Sequence, residues 1–520
     1  MEYPSLLWQA GLDVEKRHFP VGDNGKLCPA PGPISTETIG DLLPAGAFCE
    51  TSAAFFRFPC DRTEIQARQQ YIWTLAHKEN ALQRIEDLLA TLEGFERLLH
   101  RWQSPTQTQT ARTLLFPAVA EAYLHVAKCF VAVSTEIPEV GVAVRDCFAA
   151  ILQADAMVAL AQAIEGYMST WPAGVQIEIG SGSPMTSSVT GGYRAELQQL
   201  FAEMGIPEAC PTVRSHLADS TMIEAYAAAY PDVLSHAAQL AETYATQLTD
   251  TYAMADVLLY RLELVFCREA ALYTRRMEAM GYPMCLPAVA TERRIHLRSL
   301  RDVSLAAREL RGEDVVPNDV RLDGDRRFCY VTGANGGGKT TYLRSVGIAV
   351  LFFLTGCPVS ALGGELWPFA RLYTHFPSKE DFTDSGRFVD EVRRADAIRD
   401  GADGEAVALF NETFSGTDEE KSTAYSRALA EDMVDCGAFG LYVTHIHSLT
   451  HGRIPTLAAV VDEADENKRT YRIVPMDGTD SSFARDILQK YRLTEEGLAA
   501  RLAERQNKRE EAGLWAGSAY

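Results

Sequence analysis

The 520-residue chain has no apolar run approaching the ~18 residues needed to cross a bilayer. The longest, "VGIAVLFFLTG" at 346–356, follows a glycine-rich turn and reads as a buried helix, so no membrane is expected. The opening "MEYPSLLWQAGLDVEK" lacks the basic-then-apolar order of a secretory signal. Paired cysteines are missing too. Eleven cysteines are scattered singly from Cys28 to Cys436, which argues against a zinc knuckle or disulfide frame and for a reducing, cytoplasmic setting. Nor is there an excess of positive charge. Lys and Arg number 49 against 70 Asp and Glu, a formal net charge of -21, unlike a protein whose sole job is to grip a phosphate backbone. Any nucleic-acid contact must then come from a local patch. Arg293, Arg294, Arg298 and Arg301 form one candidate, for which a solvated face is the plainer reading.

What is present points to several domains. With 47% hydrophobic and 23% charged residues, the length suggests two to four globular units. Residues 1–54 are Pro- and Gly-rich without a periodic pattern. Residues 55–295 are mostly helical in pattern. In "ENALQRIEDLLATLEGFERLLHRW", Leu82, Ile85, Leu89, Leu92, Phe95 and Leu99 recur at three- and four-residue steps. A second long helical stripe runs through Leu240, Tyr244, Leu248, Met254 and Leu258. Between the two, "WPAGVQIEIGSGSPMTSSVTGGY" is a break holding one short strand. From 296 to 480, short β-branched and aromatic runs alternate with helices, the pattern of a mostly parallel sheet with helices on its faces. "LAAVVDE" and "RTYRIVPMDG" read as a hairpin within it. Residues 481–520 read as a short helical tail.

"VTGANGGGKTT" fits strand–G-x-x-x-x-G-K-[ST]–helix, a Walker A phosphate loop. Glycines there let backbone N–H groups wrap phosphates, and the helix start adds its positive dipole end. Lys339 is expected to reach the β- and γ-phosphates of ATP, and the Thr340 hydroxyl to ligate Mg²⁺. "AVALFNE" places Asn411-Glu412 where such proteins usually carry Asp-Glu. Its strand is expected to lie next to the phosphate-loop strand. Asn411 can accept a hydrogen bond from a metal-bound water but brings no negative charge, so Mg²⁺ should be held more weakly. Glu412 is the candidate general base, and the expectation is a working ATPase slowed by the amide. Ser415, Gly416 and Thr417 form a turn at a helix start that suits a γ-phosphate on a neighbouring subunit. Such a turn is also an ordinary helix cap. His445, ending the strand "YVTH", could sense the γ-phosphate or orient water; a His445–His447 metal pair is the weaker alternative.

The order of these motifs resembles the MutS ATPases of DNA mismatch repair, relatives of the ABC class. "TGANGGGKTTYLRSVGIAVLFFLTGCPVSA" is similar to that family's phosphate loop and helix, through Asn335, Gly337, Gly338, Lys339, Thr340, Thr341 and Tyr342. Gly333 and Gly336 complete the cradle. "EDFTDSGRF" matches at Asp381, Ser385 and Gly386, "NETFSGTD" resembles the family's acidic signature, and "YVTHIHSLT" its Thr-His strand end. "VVPNDVRL" resembles the segment whose Asn, here Asn318, lies near the adenine. The tail resembles the element through which family ATPase domains pair. Pro59, Asp61, Ile65, Arg68 and Gln69 match the opening of the helical core. The likeness is strong over 310–500 and weaker but collinear over 55–290. No N-terminal mismatch-reading domain is discernible, and only a reduced DNA clamp would fit within 171–225.

The resemblance implies an α + α/β protein: a long-helix core and lever bundle, then an ABC-like P-loop ATPase domain with a mostly parallel sheet. It also implies a homodimer with ATP and Mg²⁺ between the phosphate loop of one subunit and Ser415–Thr417 of the other, switching conformation on distorted or non-duplex DNA. The rival expectation is a nucleotide-gated protein-interaction scaffold that does not touch DNA. An ABC transporter subunit is a poorer fit, since no Leu-Ser-Gly-Gly-Gln-type signature lies between 380 and 415.

Overall fold

Helix-period patterning in the first half of the chain and short apolar runs in the second become, respectively, a set of packed helices and two β-sheets. The computed structural model describes residues 3–7, 33–137, 141–169, 176–180, 184–188, 227–228, 230–377, 384–414, 419–450, 452–461 and 469–476. The helices used below are α1 (Thr36–Leu42), α2 (Glu50–Phe55), α3 (Arg62–His77), α4 (Ala81–Gln103), α5 (Gln109–Glu136), α6 (Val142–Gln153), α7 (Asp155–Ser169), α8 (Pro231–Thr246), α9 (Leu259–Ala279), α10 (Lys339–Leu354), α11 (Asp384–Gly401) and α12 (Glu419–Asp435). The strands are β1 (Gln176–Gly180), β2 (Pro184–Ser188), β3 (Ala288–Val289), β4 (Arg294–Leu300), β5 (Asn318–Asp323), β6 (Phe328–Gly333), β7 (Gly363–Leu366), β8 (Arg371–His375), β9 (Ala406–Asn411), β10 (Phe439–Val443), β11 (Thr456–Val461) and β12 (Arg469–Pro475). The chain divides into two compact units, one of residues 1–28 and 67–272, the other of 29–66 and 273–520.

The first unit is built from the stripes. Leu82, Ile85, Leu89, Leu92, Phe95 and Leu99 of α4 are all buried. Helix α5, 28 residues long and apolar enough by length and composition to span a bilayer, is half buried and packs against α4, α6 and α8. That is the environment of a bundle's central helix. Phe130 of α5 stacks on Phe148 of α6 at 4.5 Å between ring centroids, and Tyr260 lies 4.8 Å from Phe130. The second long stripe is not one helix. After α8 the chain makes a π-helical turn at Gln247–Thr251 and a 3-10 turn at Met254–Leu258, with Ala253 left-handed between them at φ 44°. The Thr249 hydroxyl donates to the Ala245 carbonyl at 3.0 Å, a local bond that competes with the helix ladder. Leu240, Leu248 and Met254 are nonetheless buried, so the stripe records burial across a break. The Gly/Ser-rich break holds two strands, not one: β1 and β2 pair antiparallel with Gln176 opposite Ser188.

The second unit contains a six-stranded sheet in the order β12-β11-β6-β10-β9-β8 and a four-stranded sheet in the order β3-β7-β4-β5. In the larger sheet β11, β6, β10, β9 and β8 are parallel, and β12 joins β11 as the antiparallel hairpin partner. All residues of β9 and β10 are buried, as expected for strands covered on both faces. One face carries α10, of which 13 of 16 residues are buried. On the other, Phe328, Tyr330, Phe410 and Tyr442 pack against Leu429 and Met433 of α12 and Ala395 and Ile398 of α11. Helix α1, from the unpatterned N-terminal stretch, covers the sheet's free edge at β8. The Thr374 hydroxyl of β8 donates to Asp41 at 2.7 Å. Leu42 lies so close to Gly347 of α10 that a Cβ there would be 2.5 Å from its Cδ2. An edge strand left bare would template pairing with another chain, and α1 prevents that.

One expectation is overturned. β9, carrying Asn411, is not next to the phosphate-loop strand β6, because β10 lies between them. Strand order in a parallel sheet follows from where each crossover helix returns the chain, and no local pattern encodes it.

Candidate phosphate-binding site

The site lies at the carboxyl ends of β6, β10 and β9. β6 leaves the sheet at Gly333, whose φ is 123° and whose Cβ, if present, would be 2.9 Å from both the Cβ and the carbonyl oxygen of Ala459 on β11. Only glycine fits there. The loop ends at Gly338, φ 91°, which caps α10 without a side-chain hydrogen bond. The first N–H groups of α10 therefore have no side-chain cap on the side where the loop opens. Gly337 is buried, while Asn335 and Gly336 are exposed at the loop's tip.

Lys339 is 4% exposed. Its ammonium donates to the carbonyls of Gly333 at 2.8 Å and Ala334 at 3.3 Å. Burial lowers its pKa, Arg469 adds to that, and the nearby Glu412 carboxylate opposes it. The cation is thus held by its own loop's carbonyls. Thr340 follows on the first turn of α10, and its hydroxyl donates to Asn411 Oδ1 at 3.0 Å. This bond spans the width of β10 and joins two motifs 71 positions apart in the chain. Thr341 is half-buried beside it.

Glu412 is half-buried at the turn that follows β9, with its N–H donating to the Val443 carbonyl of β10 at 3.0 Å. Two non-glycine residues of this turn, Glu412 (φ 50°) and Phe414 (φ 66°), are left-handed. Backbone of this kind costs about 1–3 kcal/mol per residue and persists where the surroundings over-determine it. Thr413 between them is buried, its hydroxyl 3.2 Å from Nδ1 of His375. Thr444, at the end of β10, is buried and donates its N–H to the Val331 carbonyl of β6 at 3.0 Å. His445 is exposed just beyond, and no hydrogen bond joins it to Glu412 among the described residues. Among those residues no group of three or more His, Cys, Asp or Glu could hold a metal. Ser415, Gly416 and Thr417 lie outside the described residues, as does Asp381. Ser385 and Gly386 fall in the first turn of α11.

Asn318 is brought to the same neighbourhood in an unanticipated way. Its amide nitrogen donates to the Tyr471 carbonyl at 3.0 Å, and its amide oxygen accepts the Ile473 N–H at 2.7 Å. Both ends of the side chain thus clip β12 in place. The first clip falls on Tyr471, left-handed at φ 58° and 51% exposed. Its ring lies against the phosphate loop: a Cβ on Gly338 would be 3.4 Å from its Cδ1. The sequence carried one overlooked signal for Tyr471, an aromatic interrupting the polar face of a hairpin strand.

Two of the four arginines of the patch are paired with carboxylates. Arg293 bonds Glu405 at 2.8 Å, Arg294 pairs with Glu365 at 3.1 Å and also with Glu292, and Arg301 donates to the Val315 carbonyl at 3.3 Å. Arg298 is exposed.

Residues 329–483 match the family model described as MutS domain V. An "Endonuclease MutS2" of Solidesulfovibrio magneticus is 30% identical over 221 residues, 41% of this chain and 28% of that protein. A "DNA mismatch repair protein MutS 2" of Halobacterium salinarum is 37% identical over 138 residues, 26% of this chain and 16% of that protein. An "Endonuclease MutS2" of Bacillus cytotoxicus is 29% identical over 203 residues, 38% and 25% of the two chains. The chain thus spans about a quarter or less of the length of these curated relatives.

Proposed function

From the match of residues 329–483 to MutS domain V, we propose that this chain is a MutS-family ATPase that binds ATP in the 333–341 loop and hydrolyses it, using the energy to switch its grip on DNA. The observation that carries this reading is the 3.0 Å bond between Thr340 and Asn411, which joins the start of α10 to the end of β9. That juxtaposition has a use in phosphoryl transfer and none evident in packing alone.

The residues present suit a magnesium nucleotide. The loop is a cradle that a Cβ at Gly333 would fill, and the Thr340 hydroxyl with the Asn411 amide oxygen supplies the oxygen donors that a hard cation prefers. Mg²⁺ bound there would neutralise charge on the phosphates. Lys339 exchanges its two loop carbonyls for β- and γ-phosphate oxygens. Loop N–H groups and the start of α10 bind the phosphate charge. Glu412 accepts a proton from, and orients, the attacking water. His445, exposed just beyond β10, contacts the γ-phosphate in this reading. Asn318 and Tyr471 form the wall for the base, with Tyr471 as its surface. Ser415–Thr417 of a second copy would complete the site, so the working form is a homodimer. Asn411, lacking charge, makes turnover slow.

Measuring the mass of the protein in solution with and without ATP, alone and on an array of DNA forms, tests the reading. It expects an ATP-dependent dimer whose DNA retention falls steeply with salt. A second reading, a nucleotide-gated scaffold that does not touch DNA, draws on the paired arginines and the charge of -21. An ATP-dependent dimer with no affinity for any DNA form would favour it.

A further inference from the structure

The buried histidine that the reading above leaves without a task is His375. It ends β8, is 1% exposed, and sits with one ring nitrogen on each of two elements. Nε2 lies 3.0 Å from the Glu391 carbonyl of α11, and Nδ1 lies 3.2 Å from the Thr413 hydroxyl. A carbonyl only accepts, so Nε2 carries the hydrogen. The lone pair of Nδ1 is then left for the Thr413 O–H. Burial, with the Arg394 guanidinium adding to it, pushes the ring's pKa down to about 4, so this neutral tautomer is the one present near neutral pH.

Thr413 is the middle residue of the left-handed pair Glu412 and Phe414. It is fixed from a second side as well: the Tyr442 hydroxyl lies 3.5 Å from the Thr413 carbonyl and is itself anchored on Ser426 at 2.8 Å. Phe414 is buried and half-faces the same histidine, with ring centroids 6.3 Å apart. The turn that aims Glu412 thus leans on His375 through both of its following residues.

We propose that His375 is a positioning residue for Glu412: by accepting the Thr413 hydroxyl it holds the 412–414 turn in the conformation that directs the carboxylate at the phosphate loop. The proposal rests on the assignment of Glu412 as the hydrolytic base. His375 touches neither the loop nor Lys339, so its loss should leave nucleotide binding intact and slow the chemical step alone.

The test is steady-state ATPase kinetics with nucleotide affinity measured in parallel. His375→Phe should lower kcat about tenfold or more while KM and the affinity for a fluorescent ATP analogue stay within about twofold, the signature of misplaced catalytic groups. His375→Asn, whose amide oxygen can take the place of Nδ1, should restore most of kcat. Thr413→Val, which keeps the β-branched volume and deletes the hydroxyl, should reproduce the loss, and combining it with His375→Phe should add little. Should His375→Phe fail to fold, Thr413→Val with its kcat and KM carries the same test. Unchanged kcat in the folded variants, equal losses in kcat and affinity, or additive losses in the double variant would overturn the proposal. Glu412→Ala separates the two layers. If it retains turnover, the assignment of the base falls. If it loses turnover while His375→Phe and Thr413→Val keep theirs, only the role of His375 falls.

Discussion

Two turns leave parallel strands of this sheet, one on either side of β10, and both need left-handed backbone. The phosphate loop after β6 places that conformation on Gly333, Gly336 and Gly338, where it is nearly free of steric cost. The turn after β9 places it on Glu412 and Phe414, where it is not. The difference follows from what each turn offers. The first offers backbone N–H groups, so side chains would be in the way. The second offers a side chain, so glycine is useless at 412, and the conformation must be imposed by neighbours: the Val443 carbonyl, Tyr442 and His375. A ligand cradle can be built from conformational freedom, whereas an aimed carboxylate needs a scaffold.

The largest expected effect breaks the first turn chemically. Lys339→Ala should weaken ATP binding by ~100-fold or more, since a buried cation facing phosphates is removed; titration with a fluorescent nucleotide measures it. Next is a steric break. Gly333→Ala should destabilise the protein by about 2–4 kcal/mol in thermal unfolding, because the new methyl meets Ala459 at 2.9 Å in a strained φ. Third, Asn411→Asp should lower the Mg²⁺ concentration for half-maximal activity about tenfold, equivalent to ~1.4 kcal/mol of added attraction. An unmoved metal dependence would remove Asn411 from the site. Fourth, the second turn carries a pH signature. The folded-state pKa of His375 is depressed to about 4 from its ordinary 6.5, so the unfolded chain binds more protons between those values. Stability should therefore fall as pH drops through that window, and His375→Phe should flatten this part of the profile. The smallest expected loss contrasts the turns directly: Glu412→Gly should leave stability unchanged or raise it by up to about 2 kcal/mol, since relief of the left-handed strain offsets or outweighs glycine's entropy.

The same contrast separates what was legible in the sequence from what was not. β6, β9 and β10 could be read because strands buried on both faces must be continuous apolar runs. The phosphate loop could be read because its glycines answer a local steric demand. The order of those strands could not, since β10 enters between β6 and β9 through crossovers remote from either motif. The four-stranded sheet was also hidden. Arg293, just before β4, and Arg294, its first residue, have partners, Glu405 and Glu365, that arrive from elsewhere in the chain, and β7 begins with two glycines. At Gly364 a Cβ would be 2.1 Å from the His296 carbonyl, so a residue that reads as a strand breaker is required by close approach. Asn318 was expected near the adenine; what no local pattern announced is that its amide fixes the strand that bears Tyr471. The support of Glu412 by His375 was invisible for a similar reason, because 38 positions separate His375 from Thr413.

The central claim is that Lys339, Thr340, Asn411 and Glu412 act as one hydrolytic centre. Its most direct test is ATP binding and single-turnover hydrolysis measured side by side on Glu412→Ala. The account predicts retained nucleotide affinity with hydrolysis reduced to background; hydrolysis at the rate of the unaltered chain would contradict it.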